Sequence, residues 1–221
     1  MEHILKNDEL EVRILAHGAE LAGIRDIKTN EETKKVYPFD FKLYMKYVLE
    51  NRTVRLEYTV ENLGEKEMLF SLGAHPALSM PIGNGVEFLD YYIEFEKEEE
   101  GISKQLKDAL IIPQKEVKVF EGKIMKLNKD TFENDAVILE NTNSNVVYLK
   151  NVKNGRKIGF KYDGFRYMAF WNMPGAEFIC FEPWNGITDY ADCSGKLEEK
   201  IGIEKIGGKE IYTKAIEITV F

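Results

Sequence analysis

The most constraining feature of this chain is a hydrophobic period of two that recurs along nearly its whole length, the pattern of strands with one face in a core and the other toward water. Phe39, Phe41, Leu43, Met45 and Tyr47 alternate with Asp40, Lys42, Tyr44 and Lys46; Val54, Leu56, Tyr58 and Val60 then alternate with Arg55, Glu57, Thr59 and Glu61. Asn62 to Glu67 supplies turn chemistry ahead of an apolar run that starts at Leu69, so a three-stranded meander is expected. Short strand candidates follow at 86–95, 116–120, 135–139, 146–150, 157–162, 167–171 and 177–181, separated by Gly, Asn and Pro, and the C-terminal 211–221 alternates again. Such spacing predicts an all-β chain, a large antiparallel β-sandwich. A single short helix is expected near Asp189 to Gly195. No repeat, low-complexity linker or composition shift marks a boundary, so one domain over residues 1–221 is the simplest organisation.

Charge excludes some partners. The 38 acidic and 30 basic residues leave a formal charge of −8, which repels phosphate backbones and anionic lipid surfaces. No apolar run reaches the ~20 residues of a membrane span, and Met-Glu-His-Ile-Leu-Lys at the start lacks the basic and long apolar regions of a signal peptide. The expectation is a cytoplasmic protein with no nucleic-acid and no membrane partner. Cys180 and Cys193 have neither the number nor the spacing of a metal knuckle or a redox pair, and the chain has only three histidines; both cysteines read as plain thiols, with no metal and no cofactor. The charged runs Glu94 to Glu100 and Lys196 to Lys200 read as solvated faces or turns.

Two stretches carry the candidate chemistry. Leu69-Phe-Ser-Leu-Gly-Ala-His-Pro-Ala-Leu-Ser-Met80 delivers His75 after an apolar run and before a proline that keeps it extended; Phe178-Ile-Cys-Phe-Glu-Pro-Trp-Asn-Gly186 delivers Glu182 in the same way. An imidazole that exchanges protons near neutral pH and a pinned carboxylate make an acid and base pair. The competing reading of His75 is a satisfied core histidine. Asp135, at the start of an expected strand, offers a second carboxylate. With the indoles of Trp171 and Trp184, whose faces suit the C–H face of a sugar ring, the set fits a neutral polyol, although tryptophans in β proteins also serve as core. Arg166 is considered as an anion holder, but its neighbours place it on a solvent-facing strand position.

Gly73-Ala-His-Pro-Ala77, Phe132-Glu-Asn-Asp-Ala136 and Phe181-Glu-Pro-Trp-Asn-Gly-Ile187 resemble the galactose mutarotase (aldose 1-epimerase) superfamily, most closely its LacX-like branch. His17-Gly-Ala-Glu-Leu-Ala22, Tyr37-Pro-Phe-Asp-Phe41 and Glu199-Lys-Ile-Gly-Ile203 resemble the same branch in the same order. The resemblance implies a β-supersandwich and an isomerase that interconverts α and β anomers of an aldohexose. In that reading His75 donates a proton to the ring oxygen, Glu182 removes the anomeric hydroxyl proton, Asp135 binds sugar hydroxyls and Trp184 shapes the site. The resemblance also implies a departure: between about residues 28 and 32 the chain lacks a segment of several tens of residues that carries a substrate-holding arginine and a second histidine. Two functions follow as expectations, an attenuated mutarotase and a sugar-binding protein of the same fold without turnover. A homodimer is expected to cover surface that the shortened chain exposes.

Overall fold

The computed structural model describes residues 2–6, 11–15, 27–28 and 31–221, with side chains described at residue 6 and from residue 34 onward. The motif at 17–22, residues 29 and 30 of the shortened junction, and the side chain of His3 lie outside the described residues. The chain divides into two compact units, Met1–Phe70 with Glu204–Thr219, and Ser71–Ile203 with Val220–Phe221.

The first unit begins with the antiparallel pair β1 (Glu2–Lys6) and β2 (Glu11–Leu15), followed by β3 (Ile27–Lys28) and a six-residue helix α1 (Glu31–Val36). The helix was not anticipated. Next come β4 (Phe41–Glu50) and β5 (Thr53–Asn62), paired from Phe41↔Asn62 to Glu50↔Thr53. Their connection turns at Asn51, whose φ of +50° an asparagine tolerates. Leu56, Tyr58, Val60 and Asn62 are buried at alternate positions of β5, as the period of two required. Buried Asn62 is fully used: Nδ2 donates to the carbonyls of Lys66 (2.8 Å) and Gly207 (2.9 Å), and Oδ1 accepts the Gly64 N–H (2.9 Å). That network closes the turn before β6 (Met68–Phe70).

The second unit holds two antiparallel sheets. Its first strands, β7 (Leu72–Gly73) and β8 (Ala77–Ser79), are short; then come β9 (Tyr91–Glu99), β10 (Ile102–Lys107), β11 (Leu110–Lys118), β12 (Gly122–Lys126), β13 (Val137–Glu140), β14 (Val146–Asn151), β15 (Lys157–Lys161), β16 (Tyr167–Trp171) and β17 (Phe178–Asn185). One sheet runs β12-β9-β14-β15 and the other β11-β10-β13-β16-β17-β7, with β8 also on β17. Aromatic side chains join the two inner faces: Phe95 of β9 meets Phe170 of β16 edge-on at 5.9 Å, and Phe160 of β15 lies 5.3 Å from Phe181 of β17. The other face of β16 and β17 is largely covered too, so these strands read as nearly continuous apolar runs.

The chain then returns to the first unit with β18 (Glu204–Ile206) on β6 and β19 (Ile211–Val220) on β5. This corrects the expected meander. Nine register pairs, Ile211↔Glu61 to Thr219↔Thr53, occupy the edge of β5 that a three-residue β6 was expected to take.

Two further expectations change. No helix forms at 189–195, because the backbone there is committed elsewhere: the Ile111 N–H donates to Asp189 O and the Ala191 N–H to Ile111 O, both at 2.9 Å. The charged run in β9 is solvated except at Glu99, which is buried and accepts the backbone N–H groups of Asn143 (2.9 Å) and Ser144 (2.8 Å). The architecture is otherwise the all-β antiparallel fold expected. No helix among the described residues is long and apolar enough to cross a membrane.

Candidate active site

His75 and Glu182 meet because of strand register. β17 pairs with β7 through Trp184↔Gly73 and with β8 through Cys180↔Ala77. Both short strands keep one register with β17, and the residue that falls opposite Glu182 in it is His75. The edge remains bonded across its interruption: the Ala74 N–H donates to Pro183 O (3.0 Å) and the Phe181 N–H to Pro76 O (3.1 Å). A strand residue aims its N–H and C=O to the same side, so the donor that Pro183 lacks would have pointed at the segment carrying His75. Each proline therefore omits only the return bond of its pair and keeps the one it accepts.

The pair is in contact. His75 Nε2 lies 3.1 Å from Glu182 Oε1, with the imidazole 59% exposed and the carboxylate 5%. The ring nitrogen is close without being aligned as a donor, so buried Oε1 accepts no hydrogen bond among the described residues. Burial pushes the Glu182 carboxyl up to about 7, and the negative charge of Asp135 adds to the rise. The two groups are therefore in contact, with no space the width of a sugar ring between them. Side chains opposite each other on neighbouring strands start about 5 Å apart and leave the sheet on the same side.

Asp135 is not a strand residue. It sits in the turn before β13 with φ +78°, donates its N–H to Phe132 O (3.2 Å), and accepts the Ala136 N–H at Oδ1 (2.8 Å). It is exposed, and its charge is felt at Glu182. Trp184, two residues beyond Glu182 on the same face, lies across Gly73, where a Cβ would come within 2.6 Å of its Cδ1. It also packs on the apolar cluster of Ile111, Ile138, Tyr167, Ala169 and Ile187. Trp171 is half-buried with its ring 5.9 Å from that of Phe178.

One neighbour escaped the sequence reading. Cys180 precedes Glu182 by two, so in a strand it shares that face; the ligand atoms of His75, Cys180 and Glu182 all lie within 4.8 Å of one another. The signal was the Cys-Phe-Glu spacing, visible only once 178–185 is a single strand.

Arg166 holds no anion of its own. It donates from Nε (2.9 Å) and Nη2 (2.7 Å) to Glu140 Oε1, which also accepts the Tyr167 hydroxyl (3.1 Å). Lys104, 9% exposed, reaches Glu140 Oε2 at 2.8 Å. Burial alone would lower the Lys104 ammonium and raise the Glu140 carboxyl, but their bonds outweigh it, holding the lysine above and the glutamate below its ordinary range.

The aldose 1-epimerase family model matches residues 24–200. The chain belongs to the aldose 1-epimerase family. Two forms of protein LacX of Lactococcus lactis subsp. lactis, plasmid and chromosomal, are each 30% identical to it over 199 residues, 88% of this chain and 67% of theirs. Among solved structures, a galactose mutarotase related enzyme of Lactobacillus acidophilus superposes with TM-score 0.88 at 22% identity, over 100% of this chain and 97% of that one. A galactose mutarotase-like protein of Lactobacillus casei gives 0.78 at 22% identity, over 99% and 80%. The fold of this aldose 1-epimerase family member is therefore the galactose mutarotase-like one that the motifs implied.

Proposed function

We propose that this protein interconverts the α and β anomers of a free aldohexose by general acid and base catalysis. The observation that carries the reading is the contact of His75 Nε2 with a buried Glu182 Oε1 that has no hydrogen-bond partner among the described residues, in a chain of this family. An acceptor held dry and unsatisfied is ready for a hydroxyl proton, and a carboxyl raised to about 7 divides its time between the accepting and donating forms near neutral pH.

Glu182 takes the proton of the C1 hydroxyl while His75 gives one to the ring oxygen; the C1–O bond of the ring breaks and leaves an open-chain aldehyde. Rotation about C1–C2 presents the other face of the carbonyl. Reclosure returns the first proton from Glu182 to the carbonyl oxygen and the second from the ring-closing hydroxyl to His75, so both groups end as they began. Asp135, exposed beside the pair, accepts hydrogen bonds from sugar hydroxyls, and Trp184 offers an apolar face. His75 and Glu182 approach the substrate from one side of the sheet, so turnover depends on how firmly the sugar is oriented. The chain spans 67% of the length of its LacX relatives, and missing positioning contacts can cost ~10²-fold.

The test is magnetisation exchange between anomer resonances of several aldohexoses. Exchange above the buffer rate that scales with protein concentration supports the proposal. Sugar-induced shifts without added exchange would support the non-catalytic sugar-binding alternative, and neither effect with any aldohexose would overturn both.

A further inference from the structure

β17 carries a second chemistry on the face it shows the substrate. Cys180 and Glu182 alternate on that face, and His75 stands across the register from Glu182. Together they offer a thiol sulfur, a carboxylate oxygen and an imidazole nitrogen, all within 4.8 Å. Tetrahedral zinc, with bonds of about 2.0–2.3 Å, holds its ligand atoms about 3.4–3.7 Å apart. His75 and Glu182, at 3.1 Å, already approach that separation. The remaining closure is about an ångström, and the imidazole, at 59% exposed, is the least enclosed of the three ligands. Glu182 Oε1 is a buried acceptor with no hydrogen-bond partner among the described residues, and it lies within the cluster.

We propose that His75, Cys180 and Glu182 form a three-ligand site for a zinc-class divalent cation, with the fourth position open to water, and that occupation by the cation and anomer exchange exclude one another. Thiolate and imidazole select zinc, cobalt and cadmium over magnesium and calcium, which prefer oxygen. Binding takes the Cys180 thiol proton, and any proton on Glu182, into solvent, and the imidazole ligates as its neutral form. The base's oxygen and an imidazole nitrogen are then both bonded to metal. The exclusion rests on the function proposed above; the binding does not.

Cobalt(II) titration of metal-stripped protein in a Cys193→Ser background tests the site, because Cys180 is then the only thiol in the chain. A thiolate-to-cobalt charge-transfer band that saturates at one equivalent and is displaced by zinc is expected. Its absence at millimolar cobalt overturns the proposal. Cys180→Ala should remove the band and weaken zinc binding at least about tenfold; an unchanged band would show adventitious ligation and also overturn it. In the exchange assay zinc should abolish the rate and magnesium should not, and the zinc needed should rise at least about tenfold in Cys180→Ala relative to that variant's own zinc-free rate. Persistence of exchange with cobalt bound through the thiol would overturn the exclusion. If the metal-free protein shows no exchange, the absorption arm alone decides the site, and it is the mutarotase reading that fails.

Discussion

Two glutamates stand on one face of the same sheet and are treated in opposite ways. Glu140 lies opposite Tyr167, and Glu182 opposite Ala169 two residues further along β16, so the period of two puts both carboxylates on one side. Glu140 is saturated. Lys104, Arg166 and the Tyr167 hydroxyl occupy its oxygens and hold it ionised, a device that locks β10, β13 and β16 together. Glu182 is more deeply buried, its side chain 5% exposed against 24% for Glu140, and it lacks that company among the described residues, so its carboxyl rises to about 7. Position on the sheet does not distinguish a structural carboxylate from a reactive one; depth of burial and the supply of donors together do.

That contrast can be broken most sharply by activity. Glu182→Gln should lower kcat by ~10²–10⁴-fold with little change in KM, because the amide keeps the shape but accepts no proton; Glu140→Gln should retain kcat in the exchange assay. Stability should move the other way for the first variant. Glu182 has a folded pKa above its ordinary 4.5, so the folded state bears the cost of a buried charge above about pH 7 and sheds it as the pH falls toward 4.5. Glu182→Gln should therefore be more stable than wild type at pH 8, by up to about 3 kcal/mol, with the difference vanishing near pH 4.5 in urea titrations. Glu140→Gln should instead cost about 1.5–3 kcal/mol at neutral pH by removing the charge that Lys104 and Arg166 share, although Lys104 keeps Glu116 Oε1 at 3.3 Å. Its pH sign is opposite, since the lowered carboxyl stabilises above the ordinary glutamate pKa and loses that contribution as the pH falls through its folded value. The smallest effect is expected at Gly73→Ala, where a methyl 2.6 Å from the Trp184 ring should cost about 1–3 kcal/mol and shift the tryptophan fluorescence.

The same contrast explains what the sequence made legible. β5 alternates in sequence because, from Leu56 to Asn62, one side chain in two is buried, whereas its neighbour β4 shows the same sequence period with no side chain fully buried. β10 escaped notice because polar Ser103 and Lys104 are both buried, on opposite faces of the strand: Ser103 Oγ accepts the Ile138 N–H at 2.9 Å, and Lys104 is neutralised by Glu140, a satisfaction that no hydrophobic period records. His75 and Glu182 stood out because each precedes a proline, and register then brings them together. The role of Glu140 and the proximity of Cys180 were hidden because both depend on which strands neighbour one another. The direct contact of acid and base was hidden for the same reason, since it follows from the adjacency of the strands that carry them.

The claim that burial and donor supply together separate the two glutamates is tested most directly by titrating the side-chain carboxyl carbons with ¹³C NMR. The account predicts one glutamate resonance with a midpoint near pH 7 that disappears in Glu182→Gln, and a second, lost in Glu140→Gln, that titrates below the usual glutamate range. A Glu182 resonance with an ordinary midpoint near 4.5, indistinguishable from those of surface glutamates, would contradict it.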